Sequence, residues 1–264
     1  MSDLPDERHE NQLYVYYNQE SQQRFQRPGL KILQKFFNLS MTFRLNSDIP
    51  HAYGKFVQVA PHPQSGEDLN KIISNFGAEN TQLAEKEKGQ SENETLAAQF
   101  VSHCPTPSKR ENVISRLSKL INTHIYGRCG PLKCGPEWGK GNVKDCYEAM
   151  NKTYKFYLAF ENSLCEVRRV LNSYILFFLC LQDYVTEKFF NILSYNVIPV
   201  VFNGANMSAI APPHSYINAE DFSSVEQLAE YLQLVASNDS LFASYFWWRD
   251  YYKALTVGGG EDWT

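Results

Sequence analysis

The sequence predicts an α/β fold with a parallel sheet, and three stretches carry that expectation. Residues 154–160 (YKFYLAF) are a short aromatic and apolar run that suits a buried strand, residues 186–195 (TEKFFNILSY) pattern as a helix, and Ile198–Phe202 is a second buried strand. A strand, helix, strand unit of this kind implies parallel pairing, with ligands beyond the carboxyl ends of the strands. Polar residues collect there: Glu161, Asn162 and Ser163 after the first strand, and Asp183, Tyr184, Thr186, Glu187 and Lys188 at the mouth of the helix. A helix N-terminus presents unpaired N–H groups and positive dipole, a seat for phosphate. Lys188 is unfavourable in that first turn unless an anion meets it; a solvated surface lysine is the plainer alternative.

Composition sets the outer bounds. At 264 residues the chain holds one large or two small domains with ample core. Aromatic residues at 14% suit packed sheets and sugar surfaces, and a net charge of -4 argues against a nucleic-acid partner. Five Asn-x-Ser/Thr triplets, at Asn38, Asn93, Asn151, Asn206 and Asn238, are acceptors in a secretory lumen, although such triplets also arise by chance. Met1 is followed at once by SDLPDERHENQ, and residues 174–181, the longest apolar run, are too short to span a bilayer. No Asp-x-Asp metal motif occurs anywhere in the chain.

FYLAFENS, then DYVTEKFF, then NVIPVVFNGANMSAIAPPHSYINAEDF together resemble the donor-binding motif of the eukaryotic α-1,3-fucosyltransferases, glycosyltransferase family 10. The resemblance runs through the chain except residues 61–96. It implies a GT-B type α/β fold of two Rossmann-like domains with parallel sheets. On that basis residues 1–60 are an incomplete acceptor-side domain, 61–96 a polar loop and linker, and 97–264 the domain that binds GDP-fucose. The resemblance further implies inverting transfer of fucose from GDP-fucose to an N-acetylglucosamine hydroxyl on a glycan or glycoprotein, without cofactor or metal. Intact members are type II Golgi proteins with a cytoplasmic tail, an anchor, a stem and a luminal catalytic part. The chain is therefore expected to be N-terminally incomplete, touching a membrane only through an anchor it lacks.

In chain order, residues 13–18 (LYVYYN) form an expected strand ending at Gln19, Glu20 and Ser21. A carboxylate at a strand end is a candidate general base, since an inverting transfer needs one group to take the acceptor's proton. The family segment ends in Glu-Ser-Pro, which makes Glu20 the candidate base; Gln22 stands where the family has proline, and an exposed loop glutamate is the bland alternative. Residues 36–54 resemble the next family signature, with Arg44, Ser47, Asp48 and Tyr53 as candidate cleft residues and Asp48 equally a turn residue before Pro50. Residues 61–95, centred on EKEKGQSENET, are expected to be solvated loop and linker.

Residues 97–104 (AAQFVSHC) are the expected first strand of the second domain, and Ser108 with Glu111 suggests a capping box for a helix over 109–121. Ser102 and Arg110 match positions whose family counterparts contact the nucleotide diphosphate, and an arginine fork suits phosphate oxygens. Residues 124–126 are another strand. Cys129 and Cys134, with Cys104 and Cys146 nearby, fit no standard zinc finger, and the resemblance favours luminal disulfides of unspecified pairing.

Between Cys165 and Asp183 the chain departs from the family, which runs almost directly from an ENSLC-like motif into DYVTEK. Residues 167–182 (VRRVLNSYILFFLCLQ) intervene. Val-Arg can be encoded by a splice-donor-like GTAAGA, and the end by a pyrimidine-rich run closing in CAG. A retained intron or gene-model error is the first reading, a genuine loop insertion the second. Either is expected to separate Glu161 and Asn162 from Tyr184, Glu187 and Lys188 and to impair activity.

Residues 203–221 continue the match as a loop, in which Tyr216, Asn218, Glu220 and Asp221 are candidates to approach the fucose or the ribose, with loop capping the simpler role for Asp221. Ser223 and Glu226 suggest a second capping box opening a helix to about residue 237, and residues 241–252 (LFASYFWWRDYY) a closing aromatic helix packed in the core. The resemblance assigns the growing charge on GDP to Arg110, Lys188 and the helix N-terminus, the nucleotide to Tyr184, sugar hydroxyls to Glu187 and the acceptor proton to Glu20. Two other classes stay open: a GDP-sugar-binding remnant without catalysis and an aggregating translation product. A transferase for another sugar is a weaker rival, separable with GDP-mannose.

Overall fold

The computed structural model of the protein describes residues 9–21, 36–61, 66–86, 95–134, 143–164 and 183–256. The N-terminal part forms a parallel three-stranded sheet of β1 (Val15–Asn18), β2 (Leu39–Thr42) and β3 (Ile49–Pro50), with Val15 opposite Leu39. β4 (Gly54–Gln58) follows. Then comes α1 (Gly66–Glu79), a 14-residue helix inside the stretch expected to be solvated loop. Leu69, Ile72, Ile73 and Phe76 explain it, because spacings of three and four put them on one stripe, and they pack against the core.

The main sheet has five parallel strands: β5 (Ala97–Phe100), β6 (Thr123–Tyr126), β7 (Phe156–Phe160), β8 (Ile198–Phe202) and β9 (Ile217–Asn218), in the order β6-β5-β7-β8-β9. Helices α2 (Arg110–Leu117), α3 (Val143–Thr153), α4 (Glu187–Phe190), α5 (Val225–Ser237) and α6 (Asp239–Ser244) complete the layers. Side-chain parity divides two cores. Ala97, Phe156, Leu158, Phe160 and Val200 face α2 and α5, whereas Ala98, Tyr157, Ala159 and Val201 face α3 and α4. Burial on both faces is why β7 reads as an unbroken apolar run. The order reverses between β5 and β7, so the crevice lies at their carboxyl ends.

Several helix ends differ from expectation. Lys109, at φ 53°, precedes α2 without a side-chain cap, while the Ser108 hydroxyl lies 3.0 Å from the Thr106 hydroxyl and accepts the Arg110 N–H at 3.3 Å. The proposed Ser108–Glu111 box is therefore absent, and α2 ends at Leu117 rather than near 121. α5 is capped by Ser224, whose oxygen accepts from the Gln227 N–H, while Ser223 donates to the Gln227 side chain at 2.7 Å; Glu226 instead meets Arg116 at 2.9 Å. The expected 186–195 helix is α4 followed by a 3-10 turn over Asn191–Ser194. The expected closing helix is also shorter. α6 gives way to a 3-10 turn, Trp247–Asp250, and then to β10 (Tyr252–Thr256), antiparallel to β4. Aromatic side chains fill this join, with Phe56 edge-on to Trp248 at 5.2 Å.

α6 is held from two sides. A Cβ on Gly77 of α1 would lie 2.4 Å from the Ser240 carbonyl oxygen and 2.9 Å from the Ser244 Cβ, so the helices cross at a distance only glycine permits. His214 stacks on Tyr245 with centroids 4.0 Å apart, and its Nε2 is 2.7 Å from the Ser244 hydroxyl. That hydroxyl donates to the Leu241 carbonyl at 2.7 Å, so its oxygen is free to accept from Nε2–H of a neutral ring.

Gly77→Ala is expected to lower stability by about 1–3 kcal/mol, whereas Gly66→Ala, whose Cβ meets nothing within 4 Å, leaves the urea midpoint nearly unchanged. Burial lowers the His214 pKa to about 4, below its unfolded value. The unfolded chain thus takes the proton first, and the stabilisation is complete above pH ~6.5 and is lost as pH falls toward ~4. Urea unfolding at both ends of that window should differ by on the order of 2–3 kcal/mol more in the wild type than in His214→Gln.

Candidate active site

The carboxyl ends of β5 and β7 and the start of α4 bring most of the expected residues together. Glu161 follows β7 and is 1% exposed. Its Oε1 accepts the Thr186 N–H at 2.8 Å, and its Oε2 lies 3.4 Å from the Lys188 Nζ. Thr186 caps α4, accepting from the Lys188 N–H, and Lys188 Nζ also reaches the Thr186 hydroxyl at 2.9 Å and Glu187 at 3.1 Å. A lysine in a first turn is thereby balanced by two carboxylates. Burial alone would lower the Lys188 pKa, but the charges of Glu161 and Glu187 outweigh it and hold the ammonium above its ordinary value, with Arg110 working the other way. Burial likewise opposes the Glu187 charge, and Lys188 more than offsets it, leaving that carboxyl below its ordinary value.

The expected separation of these groups by residues 167–182 is corrected by this geometry. Glu161 before the insert hydrogen-bonds Thr186 after it. Residues 167–182 themselves, with the apolar run 174–181, Cys165 and Cys180, lie outside the described residues.

Arg110 opens α2 beneath the cluster and is 2% exposed. Its fork is turned to backbone, donating to the Phe160 carbonyl and, at 3.2 Å, to the His103 carbonyl, while Nε has no partner. Burial depresses its pKa, with Glu161 opposing. Ser102 Oγ and Asn162 Oδ1 are also buried without a partner, and the Asn162 carbonyl accepts from the Ser108 N–H at 3.0 Å. Unpaired buried polar atoms at a switch point are groups that a ligand can satisfy. Gly127, at φ 102°, lets the chain after β6 pass close by, since a Cβ there would lie 2.6 Å from the Val101 carbonyl oxygen and 3.2 Å from Ser102 Oγ. Two disulfides, Cys104–Cys129 and Cys134–Cys146, brace these loops, so the alternative left open by the sequence resolves to disulfides. Among the described residues no group of three or more His, Cys, Asp or Glu side chains is arranged to hold a metal.

The N-terminal part closes over the same cluster. Tyr184 is buried edge-on to Phe43 at 5.0 Å and to Tyr53 at 6.4 Å, and the Leu45 N–H donates to the Asp183 carboxylate at 3.1 Å. Glu20 is exposed on the facing loop. Burial first, then the nearby charges of Glu161, Glu20 and Glu187, raises the Tyr184 phenol, so the Glu20 carboxylate is within electrostatic reach of the cluster. Sequence reasoning offered Tyr53 as a cleft residue but missed Phe43 and Leu45, because their contacts join residues more than a hundred positions apart.

Other candidates have local duties. Asp48 accepts from Ser40 N–H at 2.8 Å and Ser40 Oγ at 2.7 Å, which lowers its pKa and matches the turn reading. Ser47 hydrogen-bonds Thr42, and the Arg44 N–H donates to Thr42 Oγ1 at 3.2 Å. Glu220 accepts the Gly204 N–H at 2.8 Å, Asp221 accepts from Asn218 at 2.9 Å, and Tyr216 packs on Phe189.

A doubly wound parallel sheet with buried, unpaired polar atoms at its switch point defines an α/β protein with a ligand crevice there. Comparison with known proteins agrees. The family described as "Glycosyltransferase family 10 (fucosyltransferase) C-term" matches residues 90–262, and "Fucosyltransferase, N-terminal" matches residues 1–54. The chain belongs to glycosyltransferase family 10. It is 39% identical over 261 residues to alpha-(1,3)-fucosyltransferase C of Drosophila melanogaster, covering 95% of this chain and 53% of that protein. It is 33% identical to alpha-(1,3)-fucosyltransferase fut-1 of Caenorhabditis elegans, covering 95% of this chain and 49% of the relative. The chain thus spans about half the length of these relatives. A crystal structure of an alpha1,3-fucosyltransferase with GDP-fucose aligns with TM-score 0.54 at 16% identity, over 90% of this chain and 66% of that one, a likeness of fold alone.

Glu161→Ala leaves a largely buried ammonium with one exposed partner and is expected to cost about 2–4 kcal/mol. Glu187→Ala removes a half-exposed partner and should cost under ~1 kcal/mol. Urea unfolding of both variants checks the ranking.

Proposed function

We propose that the chain is part of an inverting α-1,3-fucosyltransferase that takes fucose from GDP-fucose and places it on an N-acetylglucosamine hydroxyl of a glycan or glycoprotein. The observation that carries this reading is the Glu161–Thr186–Lys188 cluster with Arg110 beneath it, at the switch point of a chain that belongs to a fucosyltransferase family. As the bond from fucose C1 to the diphosphate oxygen breaks, its electron pair goes to GDP, and the Lys188 ammonium and the Arg110 charge stabilise the anion. The acceptor oxygen bonds to C1 from the opposite face while its proton passes to Glu20, which inverts the configuration. Ser102 Oγ and Arg110 Nε supply unpaired donors for the nucleotide diphosphate, Asn162 Oδ1 supplies an unpaired acceptor for a donor hydroxyl, and Glu187 and Tyr184 meet the sugar and nucleotide. No step calls for a cofactor or metal.

The finer parts of the proposal concern this chain. Residues 1–60 serve the acceptor side and 97–264 the donor, with transfer in the Golgi lumen, a reading favoured by the two disulfides. Within the described residues no helix is long and apolar enough to cross a membrane. Transfer by the 264-residue chain is weak compared with that of the same chain lacking residues 167–182.

Calorimetry should show GDP-fucose binding that exceeds GDP-mannose binding, and Lys188→Met should weaken the former about 10-fold or more while also lowering the thermal midpoint, because it leaves the buried Glu161 carboxylate without its counter-ion. Deleting residues 167–182 should raise the transfer rate to an N-acetylglucosamine-terminated acceptor. Binding with no transfer in either form selects a donor-binding remnant, and loss of both sinks the reading.

A further inference from the structure

The loop after β1 is fixed at three consecutive residues, although the side chain it carries is exposed. The Gln19 carbonyl accepts from the Tyr53 hydroxyl at 2.7 Å. Glu20 is bracketed by Asn18, whose Nδ2 donates to the Glu20 carbonyl and whose Oδ1 accepts the Glu20 N–H, each at 3.0 Å. The Ser21 hydroxyl lies 2.7 Å from the Ser163 hydroxyl, 142 residues away, and neither serine has measurable exposure. Ser163 closes the triplet Glu161-Asn162-Ser163 at the end of β7, so a single residue separates it from the carboxylate that holds Lys188. A buried hydroxyl pair is directional and has no water to replace either partner, so it sets a distance rather than merely filling space.

We propose that Ser163 is a positioning residue: through its buried hydrogen bond to Ser21 it sets where Glu20 stands relative to the donor cluster of β7 and α4. The inference rests on the assignment of Glu20 as the acceptor base. Tyr53 supports it from the other side through its hydrogen bond to the Gln19 carbonyl. Displacement of a reacting group by about 1 Å costs on the order of 100-fold in rate, so losing this link should appear in turnover rather than in donor binding.

In the full chain, Ser163→Ala is expected to lower kcat for fucose transfer about 10-fold or more, with KM for GDP-fucose changed less than about twofold. Ser163→Thr, which keeps a hydroxyl, should recover most of the rate. Ser21→Ala should match Ser163→Ala, and the double variant should lose nothing further. Additive losses, or kcat and KM moving together, overturn the proposal. So does an unchanged kcat in Glu20→Gln, because then nothing remains to be positioned. Ser21→Cys combined with Ser163→Cys gives a readout independent of turnover. The introduced cysteines should cross-link on oxidation while GDP-fucose affinity is kept. No cross-link overturns the serine clamp, whereas a cross-linked chain that binds no GDP-fucose upholds the clamp's geometry and overturns the fucosyltransferase reading alone.

Discussion

The structure depends on one buried carboxylate. Glu161 leaves the end of β7 with almost no exposure, a placement that would be prohibitive for an isolated charge. It is tolerated because one oxygen receives a backbone N–H of α4's cap and the other faces the Lys188 ammonium. The same contact converts a lysine that a helix N-terminus would repel into a fixed, presented cation. Strand end, helix start and cation are therefore one unit. Arg110, buried under it and tied to the Phe160 carbonyl, adds a second positive charge without contributing a mobile side chain.

That unit is held in place by two features of the chain path. Parity along β7 and β8 sends alternate side chains into separate cores, so a one-residue slip would exchange both sets and the register is strongly specified. The C-terminal strand β10 then returns to pair with β4, and the Phe56, Trp248 and Phe190 side chains pack at the join. Gly54 in β4 belongs to this join, because a Cβ there would lie 2.4 Å from the Phe190 ring. The first part of the chain is thus fastened beside α4 by strand pairing and by packing, which is what lets a loop near residue 20 face a cluster near residue 188.

Legibility in the sequence followed the range of the interactions. β8 and the core of β7 were readable because a doubly covered strand announces itself as a continuous apolar run. Capping serines were readable only to within a residue. Ser108 and Ser224 illustrate the two outcomes, since a serine's neighbours compete for the same hydroxyl and only the backbone angle at the cap decides. α1 was missed although its stripe of Leu69, Ile72, Ile73 and Phe76 is in plain view; the charged segment beside it dominated the reading of the whole stretch. The clamp of Ser21 on Ser163 and the Leu45 to Asp183 bond had no local signal at all, because each partner is chosen by the fold and not by its neighbours.

The segment between Leu164 and Asp183 shows why local sequence order misjudges a site. Sixteen extra residues seemed bound to push the two halves of the cluster apart. Loop-closure cost, however, grows only logarithmically, by about 0.6 kcal/mol for each doubling of length. Against this stand the hydrogen bond from Thr186 to Glu161, the ion pair of Lys188, and the burial of Val185, Phe189 and Phe190 in the core between β7 and α4. These contacts fix both ends whatever length of chain joins them. The spacing of the two halves of the cluster is therefore set by these contacts and not by the number of residues between them.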